Sequence, residues 1–200
     1  MHSTDRQVLD AARRWAQAGH RFALVTVSRT WGSAPRPPGS WMALRDDGQV
    51  QGAVSGGCIE ADLIQRIRNG GFDSTTPFLL KYGVTQDEAR RFALPCGGTM
   101  ELVIEPMPDV VALADLGAQI ARGQLVRRKV TLGRAGTVIT AGAAGDVLRW
   151  DGHALTTMHG PAWRLLIVGA GQISVYLAQM AQALDYQVFI CDPRSEYAAA

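Results

Sequence analysis

The chain has 200 residues, of which 47% are hydrophobic and 19% charged, and its formal net charge at pH 7 is +2. A chain of this length and composition is typical of a globular protein with one large or two small domains. The nearly balanced charge gives no reason to expect nucleic acid or a membrane surface as a partner, and no apolar run approaches the ~18 residues of a membrane span.

The spacing of apolar residues predicts a mixed α/β fold. Residues 4–19 predict an amphipathic helix without the apolar core of a signal peptide, so a cytoplasmic location is expected. Residues 22–28, "FALVTVS", predict a buried strand. Asp46-Asp47-Gly48 lies between two short apolar runs and predicts a hairpin. The further predicted elements are strands 41–45, 50–54, 78–82, 99–105, 125–132, 137–141 and 147–150, and helices 58–68, 86–91 and 109–121.

One of these strands and the region after residue 150 carry a further expectation. Residues 99–105, "TMELVIE", alternate apolar and polar side chains, which is typical of a strand with one buried face. Residues 151–163 contain Gly152, Gly160 and Pro161 and predict a linker. The four histidines lie at expected termini and turns without the spacing of metal ligands, so we assign no role to them.

The end of the chain shows a pattern found in nucleotide-binding proteins. Strand 165–168 runs into a glycine turn, a helix follows to about residue 184, and strand 187–191 ends at Asp192. Such a turn presents backbone N–H groups to a phosphate, and a carboxylate about 20 residues further on suits a ribose hydroxyl. The candidate residues are Gly169, Gly171, Ser174 and Asp192, and NAD(P) is the cofactor they would bind.

Two strands cannot bury both faces of a parallel sheet. We therefore expect residues 161–200 to be the start of an incomplete Rossmann-like domain that follows an N-terminal α/β domain, residues 1–160. The open edges of such a sheet suit a second protomer, so a homo-oligomer is expected.

Two cysteines lie at glycine corners. Gly56 and Gly57 precede Cys58 where a helix begins, and Cys96 precedes a second glycine pair in "LPCGG". The free amides of a helix N-terminus attract anions and lower the pKa of a cysteine. An isolated cysteine is more often a small inert core residue. The three cysteines of the chain are odd in number and far apart, which argues against a disulfide framework and for a reducing compartment.

A proline-rich loop, residues 30–40, supplies the nearest candidate cation. It contains three prolines and two glycines, which exclude regular structure, and it carries Arg36. An arginine here suits a phosphate, and a solvated loop charge is the alternative.

Three stretches of the chain together resemble the xanthine dehydrogenase accessory proteins, the XdhC/CoxI family. They are "TWGSAPRPPGSWMALRDDGQVQGAVSGGCIEADL", "LPCGGTMELVIEP" and "LLIVGAGQISVYLAQMAQALDYQVFICDPR", in the order found in the family. The first stretch is the most specific, since the third alone indicates only a Rossmann-like unit.

The resemblance implies a molybdenum cofactor chaperone rather than an enzyme. Such proteins bind the molybdopterin cofactor as transient cargo, help a cysteine desulfurase to sulfurate it, and deliver it to a xanthine dehydrogenase-type molybdenum enzyme. A soft thiolate suits molybdenum and sulfur, so Cys58 and Cys96 are the candidate metal contacts. The candidate cofactor-binding residues are Ser33, Arg36, Ser55, Gly56, Gly57, Cys58, Cys96, Gly97 and Gly98.

Two alternatives stay open from the sequence. One is an NAD(P)-dependent oxidoreductase that uses the glycine turn after residue 168. The other is a thiol redox protein that uses Cys58 and Cys96.

Overall fold

The computed structural model describes residues 3–32, 36–83, 98–160, 163–184, 186–194 and 196, with only the backbone of residues 3, 4 and 58. Within these ranges the helices are α1 (Ser3–Gln17), α2 (Cys58–Arg68), α3 (Val110–Ala121) and α4 (Gln172–Ala183). The strands are β1 (Phe22–Trp31), β2 (Trp41–Arg45), β3 (Val50–Gly52), β4 (Phe78–Tyr82), β5 (Thr99–Glu105), β6 (Val126–Thr131), β7 (Thr137–Ala141), β8 (Arg149–Trp150), β9 (Ala154–His159), β10 (Trp163–Val168) and β11 (Tyr186–Cys191). The mixed α/β fold predicted from the sequence is confirmed.

The first sheet has five antiparallel strands in the order β3-β2-β1-β5-β4. Its central strand, β1, is buried along residues 22–28, as the continuous apolar run predicts. Val25 on one face packs in the same cluster as Leu63 of α2. Leu24 on the opposite face packs with α1 and α3. The sheet is thus covered on both faces.

A second antiparallel sheet, in the order β7-β6-β9-β8, packs on the α1 face of the first. Val130 of β6 and Leu155 of β9 form a buried cluster with Val103 of β5. The two sheets therefore share a core, and the inward residues of β6 and β9 face the inward residues of β5.

Polar side chains occupy part of this interface. Arg128 of β6 donates from Nη2 to Glu105 Oε2 at 2.6 Å, and the two side chains are only 1% and 3% exposed. The guanidinium group of Arg128 lies 5.2 Å from the ring centroid of Trp41, and the ring of His159 lies 4.5 Å from the same centroid. Thr157 Oγ1 lies 2.7 Å from His159 Nε2. A buried ion pair thus joins the two sheets.

Two predictions are wrong because the sequence did not reveal how the second sheet forms and what it covers. Residues 151–163 are not a linker, because residues 154–159 form β9, which pairs with β6 and β8. Residues 99–105 do form a strand, but both of its faces are buried, because the second sheet covers Glu101 and Glu105. Lys81 and Trp150 contact the Glu101 carboxylate, and Arg128 contacts Glu105, so these polar side chains are compatible with burial.

The end of the chain forms a strand–helix–strand unit, as predicted. β10 and β11 are parallel neighbours, and α4 connects them. Apolar side chains on these elements are exposed, among them Val168 at 77% and Ile173 at 83%. Gly123, just after α3, lies against Gln187 of β11.

Two remaining points concern the helices. The predicted helical piece at residues 86–91 lies outside the described residues. In the part of the chain that the structure describes, no helix has both the length and the apolarity required to cross a membrane.

We expect Arg128→Ala to destabilise the fold by about 3–5 kcal/mol, because it leaves the Glu105 carboxylate buried without its cation. Arg127→Ala is the matched control on the same strand: Arg127 is 45% exposed and pairs with Asp146, so its loss should cost about 1 kcal/mol or less. Urea unfolding measures both. The double variant Glu105→Leu/Arg128→Met should recover much of the loss, and equal costs for the two single variants would contradict the assignment.

Burial, with the nearby charge of Arg128, lowers the pKa of His159 from 6.5 to about 3. Because the unfolded chain binds a proton at this ring that the folded chain does not, stability should fall as pH drops below 6.5. The expected loss is about 1.4 kcal/mol per pH unit. Unfolding curves at pH 6.5 and 5 check this for the wild type and His159→Gln. The glutamine variant should lose this component, whereas the exposed control His153→Gln should retain it; an unchanged slope in His159→Gln would refute the prediction.

Candidate functional site

Of the two glycines at the corner before α2, only Gly57 has a backbone conformation that favours glycine. Gly57 has φ 127°, which side chains rarely allow, and it is the N-cap of α2. Gly56 does not have a positive φ. A Cβ built on either glycine would meet no atom within 4 Å among the described residues. The described part of the chain therefore leaves open space beside the corner that leads to Cys58.

Glu60 occupies the polar side of the corner. Its carboxylate accepts hydrogen bonds from the backbone amides of Val54 at 2.9 Å, Ser55 at 2.6 Å and Gly57 at 2.9 Å, and from the hydroxyl group of Ser55. Glu60 thus acts as an internal anion for amides that the sequence offered to a bound phosphate.

These hydrogen bonds set the charge of Glu60. Burial alone would raise its pKa, but the bonds from Ser55 and from the Val54 amide outweigh that effect and lower the pKa. A carboxylate held ionised at this position repels a second anion. A phosphate at the corner would need amides other than those of Val54, Ser55 and Gly57.

The second glycine corner and the proline-rich loop are described only at their ends. Ser33, Cys96 and Gly97 lie outside the described residues. Gly98 is buried, and a Cβ built on Gly32, where φ is 71°, would lie 3.2 Å from the Gly98 Cα atom. The pairing of Trp31 with Thr99 produces this contact. The start of the loop and the end of "LPCGG" are therefore neighbours.

Arg36 lies at a cleft that the sequence did not reveal. The cleft has a volume of about 490 Å³ and runs between the loop at residues 36–40 and the second sheet. The loop is fixed to β1, since Gly39 N donates to Val27 O at 2.7 Å and Val27 N to Ser40 O at 3.0 Å. The other lining residues are Asp5, Trp41, Ala53, Asp146, Val147, Leu148, Thr157, Met158 and His159.

Trp41, Thr157 and His159 are therefore candidate functional residues that the sequence interpretation missed. That interpretation places His159 at a turn, whereas it ends β9 and is buried. Alternation in "ALTTMH" is the available signal: Leu155, Thr157 and His159 form one face of the strand. Gly152 and Gly160 flank this segment and make it resemble a linker, so the alternation is easily missed.

The nucleotide-like turn lies between β10 and α4, but its acidic residue is already engaged. Gly169 has φ 109° and Gly171 is the N-cap of α4. Asp192 accepts hydrogen bonds from the Ala170 amide at 2.7 Å and from the guanidinium group of Arg194. Ser174 donates from Oγ to Gly169 O at 2.6 Å. Asp192 thus closes the turn.

Metal-binding geometry is not evident in the described part. There, no three His, Cys, Asp or Glu side chains gather as a metal site would require. Cys191, the third cysteine, is exposed on β11, and its thiol is not in a disulfide.

Comparison with known proteins matches the first part of the chain to one family. Residues 15–83 match the model of the XdhC and CoxI family. These residues include the proline-rich loop, the hairpin of β2 and β3, and the glycine corner with Cys58.

Two curated relatives extend over most of the chain. The molybdenum cofactor insertion chaperone PaoD of Escherichia coli (strain K12) is 26% identical over 198 residues, which cover 94% of this chain and 58% of that protein. A probable xanthine dehydrogenase subunit of Bacillus subtilis (strain 168) is 25% identical, over 87% of this chain and 60% of that protein. The chain thus spans about 60% of the length of these relatives.

Among solved structures, the crystal structure of a xanthine dehydrogenase from Bacillus halodurans resembles this fold. The TM-score is 0.67 at 21% sequence identity, and the match covers 96% of this chain and 64% of that chain. At this identity the likeness concerns the fold alone. With the family match and the two relatives, the resemblance to the XdhC and CoxI family that the sequence motifs indicated is confirmed.

Proposed function

We propose that this chain is a chaperone that binds the molybdenum cofactor, assists its sulfuration, and inserts it into a xanthine dehydrogenase-type molybdenum enzyme. The observation that carries the proposal is the family match over residues 15–83, which include both the glycine corner and the proline-rich loop. The name of PaoD, a molybdenum cofactor insertion chaperone, supports the same cargo.

The open space beside Gly56 and Gly57 supports a role for the corner in contacting the cargo. Cys58 follows directly, and a thiolate at a helix N-terminus is a soft ligand that suits molybdenum or its sulfido group. Cys96 is the second thiolate that we propose for this contact. When bound, the cofactor supplies the metal centre that is to be sulfurated, and the protein's part is to hold and shield it.

Glu60 changes the part that we assign to the glycines. Two roles are open to Gly56 and Gly57: to hold the phosphate of the cofactor, or to let the cofactor approach closely. Because the amides of Val54, Ser55 and Gly57 bond to an ionised carboxylate, we propose the second role, with the phosphate bound elsewhere.

Cys58→Ala and Cys96→Ala should each lower the molybdenum retained by the protein after co-expression with intact cofactor biosynthesis, because each removes one soft ligand. Metal analysis and the fluorescence of the oxidised pterin on the purified protein measure the loss. Cys191→Ala is the matched control, since this exposed thiol lies on β11, and it should retain the wild-type content. The same molybdenum content in all three variants would rule out the cysteine contact.

The remaining partners are also proposals. A cysteine desulfurase would supply the sulfur atom, and a second copy of this chain would cover the open edges of the sheet formed by β10 and β11. The exposed apolar side chains of that unit, such as Leu166 and Val168, support the second copy.

Light scattering at micromolar concentration tests the second copy, for which a dimer or larger assembly is expected. Leu166→Asp/Val168→Asp should shift the protein toward the monomer, because both charges would be buried at the contact. A wild-type monomer at these concentrations would contradict the proposed oligomer.

A further inference from the structure

The cleft beside Arg36 combines a cation on a loop with a rigid polar floor. Trp41, Thr157 and His159 line it, yet they are only 1%, 3% and 4% exposed. The floor is therefore part of the packed interface between the two sheets, whereas the exposed Arg36 lies in the loop. A concave site with few converging polar groups is the usual form of a small-molecule site.

Hydrogen-bonding capacity is unused at this floor. His159 Nδ1 and Trp41 Nε1 are buried without a hydrogen-bond partner among the described residues. Thr157 Oγ1 lies 2.7 Å from the other ring nitrogen of His159, Nε2. A neutral imidazole has one donor and one acceptor, so Nδ1 lacks a partner in either tautomer. A buried polar group without a hydrogen bond is unfavourable, so a polar occupant that reaches these groups is favoured.

Among the charged residues that line the cleft, Arg36 is the one that can bind an anion. Asp146 is neutralised, because it pairs with Arg127 at 3.0 Å and accepts from the Ala143 amide at 2.7 Å. Asp5, on the first turns of α1, is the other carboxylate of the lining. Arg36 is the cation of that lining and can bond a phosphate in bidentate fashion.

We propose that the cleft binds the pterin part of the molybdenum cofactor, with its phosphate at Arg36 and the heteroatoms of its ring toward Thr157 and His159. The inference rests on the proposed function, and it assigns a site distinct from the glycine corner. A pterin ring presents both N–H donors and acceptors, so it matches Nδ1 of His159 in either tautomer.

The cleft and the glycine corner are connected in the chain. Ala53 lines the cleft, and Cys58 comes five residues later. Five residues span at most about 18 Å when fully extended. One elongated ligand can therefore have its organic part in the cleft and its metal directed toward the cysteine.

The test measures binding of two soluble probes to the full chain, a 6-substituted pterin monophosphate and the same pterin without phosphate, by fluorescence and calorimetry. Arg36→Gln should weaken the phosphorylated probe about tenfold and leave the unphosphorylated probe unchanged, since it removes a contact to phosphate only. Thr157→Val should weaken both probes about fivefold to tenfold.

Matched controls separate these effects from a loss of folding. Thr156→Val changes the neighbouring residue of β9, which does not line the cleft, and Arg134→Gln removes an exposed arginine elsewhere. Both should bind like the wild type. If neither probe binds, or if all four variants bind alike, the cleft assignment is wrong. Inorganic phosphate competing as well as the phosphorylated pterin would also overturn it, because the site would then recognise phosphate alone.

A failure of the cleft assignment can be distinguished from a failure of the proposed chaperone function. A wild-type protein that retains molybdenum, with Arg36→Gln and Thr157→Val retaining as much, refutes the cleft and leaves the chaperone in place. Selective pterin binding in the cleft by a protein that retains no molybdenum supports the cleft and refutes the chaperone.

Discussion

The buried ion pair between Glu105 and Arg128 is the constraint on which the arrangement of the two sheets depends. A buried charge is costly without a partner, so the two sheets must pack in the position that brings the carboxylate on β5 to the guanidinium group on β6. The same packing places His159 beside Trp41. The polar interface thus fixes the floor of the cleft, while the apolar clusters supply most of the burial.

The elements of the first sheet could be predicted because their signals are local. The apolar run of β1 and the Asp-Gly turn between β2 and β3 identify strands without knowledge of what covers them. The burial of Glu101 and Glu105 could not be predicted, because it depends on partners distant in the chain. β9 escapes prediction because its flanking glycines resemble those of a linker. The domain boundary near residue 160 stays a prediction.

The candidate site divides in the same way. The glycine corner could be predicted from its pair of glycines. The structure gives the physical reason for one of them, because Gly57 has a conformation that favours glycine. The hydrogen bonds from three amides of the corner to the Glu60 carboxylate could not be predicted, because they depend on the path of the backbone through the corner. The cleft could not be predicted, although Arg36 was identified, because Thr157 and His159 come from a segment far along the chain from Arg36 and Trp41. Only the packing of the second sheet against the loop brings them together.

The close approach of Gly32 and Gly98 couples two motifs that are far apart in sequence. A methyl group on Gly32 would lie 3.2 Å from the Gly98 Cα atom, so the backbone on one side of this contact would have to shift. Substitutions on the two sides of this contact should therefore have non-additive effects, and related chains should change them together. The start of the proline-rich loop and Gly98 thus form one packing unit, in which the backbone on one side limits the backbone on the other.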